Sequence, residues 1–263
     1  MKILVIGDIV ASTGREIMKK YIDKTRIDYD FIIVNGENSA SGFGITPKIA
    51  DEFFELGINV ITGGNHSWDK KDIYTYLDGN EKLLRPANFP DGVSGVGYTI
   101  QKDRKDRKIA VISLQGRVFM NPIDCPFKKA SEIIEKVKSE TKFIIIDFHA
   151  EATSEKIAFA KYLDGKASLI FGTHTHVQTA DEKILNDGTG YITDVGMTGS
   201  DDGVIGTQKE IIINRFLTGL PQKFEMASEN LRLNGISVEL DDDTGECLSI
   251  TRINVGENQI EYM

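Results

Sequence analysis

The chain has 263 residues and lacks several features by which major protein classes are identified. Only two cysteines occur, Cys125 and Cys247, and they lie far apart and outside any CxxC pattern. So few cysteines argue against a disulfide framework and favour a reducing compartment. No apolar run approaches the ~20 residues that a membrane helix needs, and Asp8 interrupts the amino-terminal apolar stretch that superficially resembles a signal peptide. We therefore expect a cytoplasmic protein with no membrane partner.

An excess of basic residues is lacking as well. Lysine and arginine number 31 against 40 aspartates and glutamates, which gives a net charge of -9 at pH 7. A surface of this sign repels a polyanion, so long nucleic acid is a disfavoured partner. A small anionic substrate is still compatible with this charge, because bound metal ions dominate the local field.

The remaining composition is that of an ordinary globular protein. Apolar residues make up 40% of the chain and charged residues 27%. The sequence has no internal repeat, low-complexity tract or linker, and its length is sufficient to bury a substantial core. We therefore expect a single domain that spans residues 1–263.

Strand-like and helix-like segments alternate through the first three quarters of the chain. Short apolar runs rich in β-branched residues predict strands, and longer segments with one apolar face predict helices. The predicted strands are 3–7, 31–34, 59–62, 109–114, 143–146, 168–171 and 191–193. The predicted helices are 14–22, 47–57, 126–139 and 154–163.

The last quarter contains three further runs that predict strands, 211–213, 236–240 and 248–255. The turn cluster 241–245, which reads DDDTG, separates the last two runs and predicts a β-hairpin. Alternating elements followed by an antiparallel portion indicate an α/β fold.

All four histidines of the chain lie close to the ends of predicted strands, together with acidic and amide side chains. Because the carboxyl ends of strands in an open α/β sheet share one edge, side chains from distant segments can meet there. Imidazole, carboxylate and amide groups are the donors that a transition-metal cluster needs. The candidate residues are Asp8, Glu37, Asn38, Asn65, His66, His149, His174 and His176.

Each candidate also has a simpler interpretation when it is taken alone. Asp8 can cap the helix that follows it, and Glu37 can be an exposed turn residue. Asn65 follows two glycines, a pattern common in tight turns, and a lone histidine such as His149 is more often a hydrogen-bonded structural residue. The joint occurrence of every histidine with acids at two strand ends favours the metal site over these separate interpretations.

These sequence blocks resemble the calcineurin-like metallophosphoesterases and, more closely, their bacterial YmdB-like phosphodiesterase branch. The chain departs from the broad superfamily at two places, where Val10 replaces a histidine and Glu37-Asn38 replaces an aspartate. Both departures are those of the YmdB-like branch. The resemblance covers nearly the whole chain and is carried by segments 35–39 (NGENS), 64–69 (GNHSWD), 173–181 (THTHVQTAD), 194–199 (DVGMTG) and 215–221 (RFLTGLP).

The resemblance implies a fold and a role for each candidate residue. The fold is a layered α/β/β/α sandwich, with central mixed β-sheets flanked by helices. Glu37 bridges two metal ions, and His66 is free of metal and faces the substrate as proton donor. The first ion is expected on Asp8, Asn38 and His176, and the second on Asn65, His149 and His174.

Such a centre suits the hydrolysis of a phosphodiester. Two divalent ions about 3.5–4 Å apart bind phosphate oxygens and lower the pKa of a bridging water, so that hydroxide attacks. Two dications, two carboxylates and one hydroxide leave a charge of about +1, which suits a diester monoanion. Imidazole-rich shells with few acids favour iron, manganese or zinc over magnesium, and iron is expected first.

The resemblance further implies 2',3'-cyclic nucleotides as substrates, nucleoside 3'-phosphates as products, and self-association. A phosphomonoesterase or a nuclease on the same centre is an alternative, as is a regulatory nucleotide-binding protein with little turnover. Phe43, Trp68 and Met197 are candidates to line a base or ribose pocket, although packing within the core or loops is the simpler interpretation of each.

Overall fold

The computed structural model describes all residues from 1 to 263. A 3-10 turn, Arg26–Asp28, follows the first helix. The strands are β1 (Lys2–Ile6), β2 (Asp8–Ile9), β3 (Phe31–Asn35), β4 (Val60–Thr62), β5 (Tyr98–Lys102), β6 (Lys108–Gln115), β7 (Phe143–His149), β8 (Leu169–Thr173), β9 (Lys183–Ile184), β10 (Gly190–Ile192), β11 (Met197–Ser200), β12 (Leu231–Leu240) and β13 (Cys247–Gly256). The α-helices are α1 (Ala11–Thr25), α2 (Pro47–Glu55), α3 (Ile73–Gly79), α4 (Pro126–Val137), α5 (Thr153–Tyr162), α6 (Lys209–Thr218) and α7 (Glu257–Glu261).

The strands form two mixed sheets. The first has the order β2-β11-β12-β1-β3-β4, with β13 paired to β12, and the second has the order β5-β6-β7-β8-β10-β9. In the first sheet β1, β3 and β4 run parallel, and β12 pairs antiparallel with β1. In the second sheet β6, β7, β8 and β10 run parallel, and the edge strands β5 and β9 are antiparallel. The parallel strands of each sheet therefore end at a common edge.

The two sheets face each other across a buried apolar layer. Ile3 and Val5 of β1 lie in this layer with Ile145 of β7, whereas Leu4 of β1 and Ile144 of β7 belong to the outer layers. Successive side chains of a strand point to opposite faces, so these strands are buried on both sides. This is why their sequences are continuous apolar runs rather than alternating ones.

Helices cover the outer faces of both sheets. Helices α1, α2 and α3 contribute to the apolar layer outside the first sheet, and α4 and α5 to the layer outside the second. The predicted start of α2 is confirmed, because the Thr46 hydroxyl accepts a hydrogen bond from the Ile49 N–H and Pro47 is the first helical residue. The layered α/β/β/α sandwich with mixed central sheets is also confirmed. No helix is both long and apolar enough to span a bilayer.

The predicted carboxyl-terminal hairpin is confirmed as β12 and β13, which pair antiparallel. Its turn begins at Asp241, whose carboxylate accepts hydrogen bonds from the N–H groups of Asp243 and Thr244, each at 2.8 Å. Gly245 has a φ of 81°, which favours glycine at this position.

The predicted strand at 211–213 is wrong, because these residues lie inside α6. Three consecutive β-branched isoleucines favour a strand, but no strand pairs with this segment. The segment instead forms a helix that is capped by Gly219, whose φ is 70° and whose N–H donates to the carbonyl of Arg215. No residue of α6 is buried, so local backbone hydrogen bonding rather than core packing determines this element.

Candidate metal centre

The strand ends of both sheets bring the predicted ligands together. Asp8 opens β2 directly after β1, and His149 is the last residue of β7. Glu37, Asn65 and His174 lie one to three residues beyond the ends of β3, β4 and β8. The Oε1 atom of Glu37 from the first sheet lies 3.0 Å from Nε2 of His149 in the second. Segments up to 166 positions apart therefore meet in one cluster.

Three ligand atoms surround one nitrogen atom in this cluster, which makes a group of four with the nitrogen itself. Nε2 of His149 lies 2.9 Å from Oδ1 of Asn65 and 3.1 Å from Nδ1 of His174. With Glu37 at 3.0 Å, two imidazoles, one carboxylate and one amide oxygen point at a common position. One ligand atom each from Glu37, His149 and His174 lies within 4.8 Å of the others. This donor set is typical of a transition-metal site.

A second group of donors lies beside the first. Nε2 of His176 lies 3.9 Å from Oδ1 of Asp8. The Asn38 amide donates to the carbonyl of Gly42 at 2.9 Å, which leaves its Oδ1 as the free acceptor. Oδ1 of Asn38 and Oδ1 of Asp8 are both buried and accept no hydrogen bond from the protein. Buried oxygens without donors are destabilising unless a cation satisfies them, so these residues fit a metal ion.

Gly64 allows the backbone to approach the cluster closely. A Cβ atom at this position would lie 2.3 Å from Oε2 of Glu37 and 2.4 Å from Nε2 of His149. A larger residue here would therefore displace the side chains of Glu37 and His149. The glycine that precedes Asn65 thus lets the backbone pass close to both side chains.

The loop after β8 holds its two histidines in backbone conformations that L-residues rarely adopt. The φ angle is 96° at His174 and 67° at His176. This geometry directs the two rings to different halves of the cluster, one toward each group of donors. The buried carboxylate of Asp194 fixes the loop, because its Oδ2 accepts from N and Oγ1 of Thr175, at 3.1 and 2.7 Å.

His66 lies at the rim of the cluster rather than among the close donors. Its Nδ1 lies 2.7 Å from Oδ2 of Asp69, and its backbone N–H donates to Oε2 of Glu37 at 3.2 Å. Its ring meets that of Phe43 edge-to-face at 5.1 Å. His66 lines a cleft over the cluster whose apolar wall consists of Val10, Phe43, Ile205, Phe224 and Met226.

The three aromatic and sulphur side chains suggested for a base pocket have different positions. Phe43 lies in the cleft. Trp68 packs edge-to-face on Phe89 at 4.7 Å and donates its indole N–H to the carbonyl of Ser94. Met197 packs with Val10 in a small buried cluster. The simpler interpretation, packing within the protein, is therefore right for Trp68 and Met197.

Burial and mutual charge shift the pKa values of the cluster residues in different directions. Burial raises the pKa of Asp8 to about 6, although His176 and His149 oppose this shift. Burial also favours a raised pKa for Glu37, but the adjacent His149 lowers it to about 2. Burial favours a lowered pKa for His149, but the carboxylate of Glu37 raises it to about 9. Burial and the neighbouring His149 lower the pKa of His174 to about 3. Strongly perturbed groups gathered in one cluster are typical of a functional site.

Polar residues behind the ligands were not predicted from the sequence. They include Asp147, Lys156, Thr173 and Asp194, each at most 1% exposed. A signal existed for Asp147, because a carboxylate interrupts an otherwise apolar run, 143–148. The others are indistinguishable from ordinary helix and loop residues until their partners are known.

Known proteins resemble this chain along its whole length. A sequence model of the family described as YmdB-like protein matches residues 4–253. The 2',3'-cyclic-nucleotide 2'-phosphodiesterase of Bacillus subtilis (strain 168) is 49% identical over 264 residues, which cover 100% of both chains. A putative phosphatase/phosphodiesterase of Mycoplasma pneumoniae is 36% identical and covers 100% of this chain and 96% of its own.

Two solved structures share the fold closely. A hypothetical protein from Thermus thermophilus superposes with a TM-score of 0.91 at 37% identity, over 98% of this chain and 100% of its own. A novel phosphatase from Mycoplasma pneumoniae superposes with a TM-score of 0.90 at 34% identity, over 100% and 96%. The family match over most of the sequence, together with these relatives, shows that the chain belongs to the YmdB-like family.

Proposed function

We propose that this protein is a metal-dependent phosphodiesterase that hydrolyses 2',3'-cyclic nucleotides by cleaving the bond to the 2' oxygen. The observation that carries the proposal is the convergence of Glu37, Asn65 and His174 on Nε2 of His149 beneath an open cleft. The relative with 49% identity, named as a 2',3'-cyclic-nucleotide 2'-phosphodiesterase, supports the substrate class.

The proposed centre holds two metal ions. Glu37 would lie between the two ions, because it lines the same cleft as Asn38 and His176 of one group and His174 of the other. The first ion would be held by Asp8, Asn38 and His176, and the second by Asn65, His149 and His174. Mostly nitrogen and neutral oxygen donors favour a transition metal over magnesium, and we propose iron, with manganese or zinc as alternatives.

The ions supply positive charge that binds the phosphate and makes a water more acidic. The residues of the chain then have separate tasks. Glu37 and Asp8 limit the positive charge of the centre, so that a phosphodiester monoanion binds without excessive affinity. His66 lies at the edge of the cleft with Nδ1 held by Asp69, which leaves Nε2 for the substrate. When water forms the new P–O bond and the bond to the 2' oxygen breaks, His66 gives its proton to that oxygen.

The apolar wall of the cleft suits a nucleobase. Phe43 and Phe224 present aromatic rings, and Ile205 and Met226 add aliphatic surface. Such a surface binds a base by stacking and burial without reading its hydrogen-bonding edge. We therefore expect activity on several bases, with differences set by the size of the base.

The proposal is tested with purified protein loaded separately with Fe, Mn, Zn or Co. The substrates are 2',3'-cAMP, 3',5'-cAMP, a phosphomonoester and single-stranded RNA. We expect hydrolysis of 2',3'-cAMP to 3'-AMP. Preferred hydrolysis of the monoester or of RNA would favour the alternative hydrolases, and absence of hydrolysis with every metal contradicts the proposal.

The Glu37→Gln variant separates an enzyme from a regulatory nucleotide-binding protein. We expect this variant to lose activity, since the bridging group loses its charge. Glu132→Gln, at an exposed position on α4, is the matched control and keeps full activity. Tight nucleotide binding with negligible turnover, and a cellular phenotype unchanged by Glu37→Gln, would favour the regulatory role.

Self-association, a single domain over residues 1–263 and residence in the cytoplasm stay predictions. An exposed apolar surface on helix α6 supports self-association, because Phe216 and Leu217 are 84% and 81% exposed and apolar Leu220 follows them. Light scattering checks whether the mass in solution is a multiple of the chain mass. Replacing Phe216 and Leu217 by serine then shows whether this surface is part of the contact.

A further inference from the structure

A carboxylate that belongs to neither ligand group lies behind the metal centre. Asp147 is fully buried in β7, two residues before His149, and both side chains lie on the face turned toward the first sheet. Oδ1 of Asp147 accepts from the hydroxyl of Thr173 at 2.7 Å, and Oδ2 accepts from the amide of Asn35 at 3.0 Å. Oδ2 also accepts from the hydroxyl of Thr62.

The three donors to Asp147 occupy equivalent positions in the fold. Asn35, Thr62 and Thr173 are the last residues of β3, β4 and β8. The chain runs from these positions directly into the segments that carry Glu37, Asn65 and His174. One carboxylate thus joins the ends of three ligand-bearing strands, two from the first sheet and one from the second.

The orientation of Asn35 is fixed by the backbone. Its Oδ1 accepts from the N–H of Glu37 at 3.2 Å, so its Nδ2 is the atom that faces Asp147. Asn35 therefore links the buried carboxylate to the backbone of the bridging residue. This contact places the start of the Glu37 side chain relative to β7.

The hydroxyl of Thr173 determines which nitrogen of His149 carries hydrogen. A carboxylate only accepts, so Thr173 gives its one proton to Asp147. The Oγ1 atom then accepts from Nδ1 of His149, at 2.9 Å. With hydrogen held on Nδ1, Nε2 is the ring atom available to a metal ion, on the side where Oε1 of Glu37 and Nδ1 of His174 lie.

We propose that Asp147 is the positioning residue of the centre, acting through Thr173 on His149 and through Asn35 and Thr62 on the first sheet. The inference rests on the proposed metal centre. A metal-binding histidine usually donates its second N–H to an acceptor that fixes the tautomer and the ring orientation, and loss of that acceptor lowers metal affinity about 10–100-fold. Here the acceptor is a threonine that the buried carboxylate orients.

The test compares Thr173→Val with Thr173→Ser. Valine keeps the shape and removes the hydroxyl, whereas serine keeps the hydroxyl. Competition with a chromogenic chelator measures zinc affinity, and we expect Thr173→Val to lose about 10–100-fold while Thr173→Ser restores most of it. Thr189→Val is the control, because Thr189 is also fully buried and its hydroxyl donates to the carbonyl of Ala167 at 2.7 Å.

A spectroscopic readout follows the hydrogen bond itself. In metal-free protein labelled with ¹⁵N-histidine, the Nδ1–H proton of His149 gives a downfield resonance that persists in Thr173→Ser and shifts upfield in Thr173→Val. Asp147→Asn, which removes the charge and exchanges one of the two acceptor oxygens for a donor, shifts it in the same way. If both valine and asparagine variants keep the resonance and the wild-type zinc affinity, the role of Asp147 is disproved. If the wild-type protein binds no metal, the proposed centre fails instead.

Discussion

Lys156 and Asp194 form a buried ion pair directly beneath the loop that carries His174 and His176, with Nζ of Lys156 2.7 Å from Oδ2 of Asp194. The ammonium group also donates to the carbonyl of Thr173 at 2.8 Å. Together with the two contacts from Asp194 to residue 175, the pair holds the backbone on both sides of His174. A positive φ costs about 1–3 kcal/mol per residue, and contacts of this kind hold the backbone in that conformation.

Lys156→Met should destabilise the protein strongly. The substitution conserves most of the side-chain volume but leaves the carboxylate of Asp194 buried without its cation. Removing one partner of a buried pair costs about 3–5 kcal/mol, and urea unfolding of the metal-free protein measures this loss. Lys161→Met, an exposed position on the same helix, is the control and changes the free energy of unfolding by no more than about 0.5 kcal/mol.

Only one cluster residue with a resolved pKa shift titrates between pH 6.5 and 9. The pKa values of Asp8, Glu37 and His174, shifted to about 6, 2 and 3, lie below this range, and the remaining contribution of His174 to stability fades within about one pH unit above its unfolded pKa of 6.5. The pKa of His149 is raised from 6.5 to about 9. A raised pKa contributes stability that is complete below the unfolded value and is lost as the pH rises through the folded value.

We therefore expect opposite pH trends for stability and for metal affinity between pH 6.5 and 9. The free energy of unfolding of metal-free protein falls with pH as His149 loses its proton. Metal affinity rises by up to about tenfold per pH unit, because binding displaces that proton. Urea unfolding and chelator competition measure the two trends, and Glu37→Gln should flatten the first. A metal affinity independent of pH over this range would contradict the assignment of His149 as a ligand.

The strands that build the site were predictable because they are buried on both faces. Runs such as 31–34 and 143–146 have no polar side to present to water, so their length and branching identify them. The glycines and polar residues at their ends were equally visible. Helix α6 was not, because none of its side chains is buried and its isoleucines carry no periodic pattern to separate helix from strand.

The support behind the ligands could not be predicted from the sequence for a different reason. Asp147 and its donor Asn35 are 112 positions apart, and Lys156 lies 38 positions from Asp194. Lys156 follows Glu155 on a helix and has the sequence context of a solvent-facing lysine. A hydrogen bond between such residues exists only once distant segments have folded together, so no local sequence pattern indicates it.

His66→Ala should abolish turnover without removing metal. The ring of His66 lies at the rim of the cleft and is bound by Asp69 rather than by the close donors, so the metal-binding residues remain in place. Loss of a general acid lowers kcat by about 10²–10⁴-fold. Elemental analysis checks that the metal content equals that of the wild-type protein. Metal loss in this variant would show that His66 is a ligand and not the proton donor.

Gly64→Ala should remove the metal centre by steric pressure alone. The added methyl group would lie 2.3 Å from Oε2 of Glu37 and 2.4 Å from two atoms of the His149 ring, so those two side chains must move. Overpacking of this kind costs about 1–3 kcal/mol, and displaced ligands should lower zinc affinity in chelator competition. Gly79→Ala is the matched control, since nothing lies within 4 Å of its added methyl group and it ends helix α3. The Gly79→Ala control should retain metal and gain up to about 1 kcal/mol of stability. Unchanged zinc affinity in Gly64→Ala would mean that metal binding does not depend on the positions of Glu37 and His149.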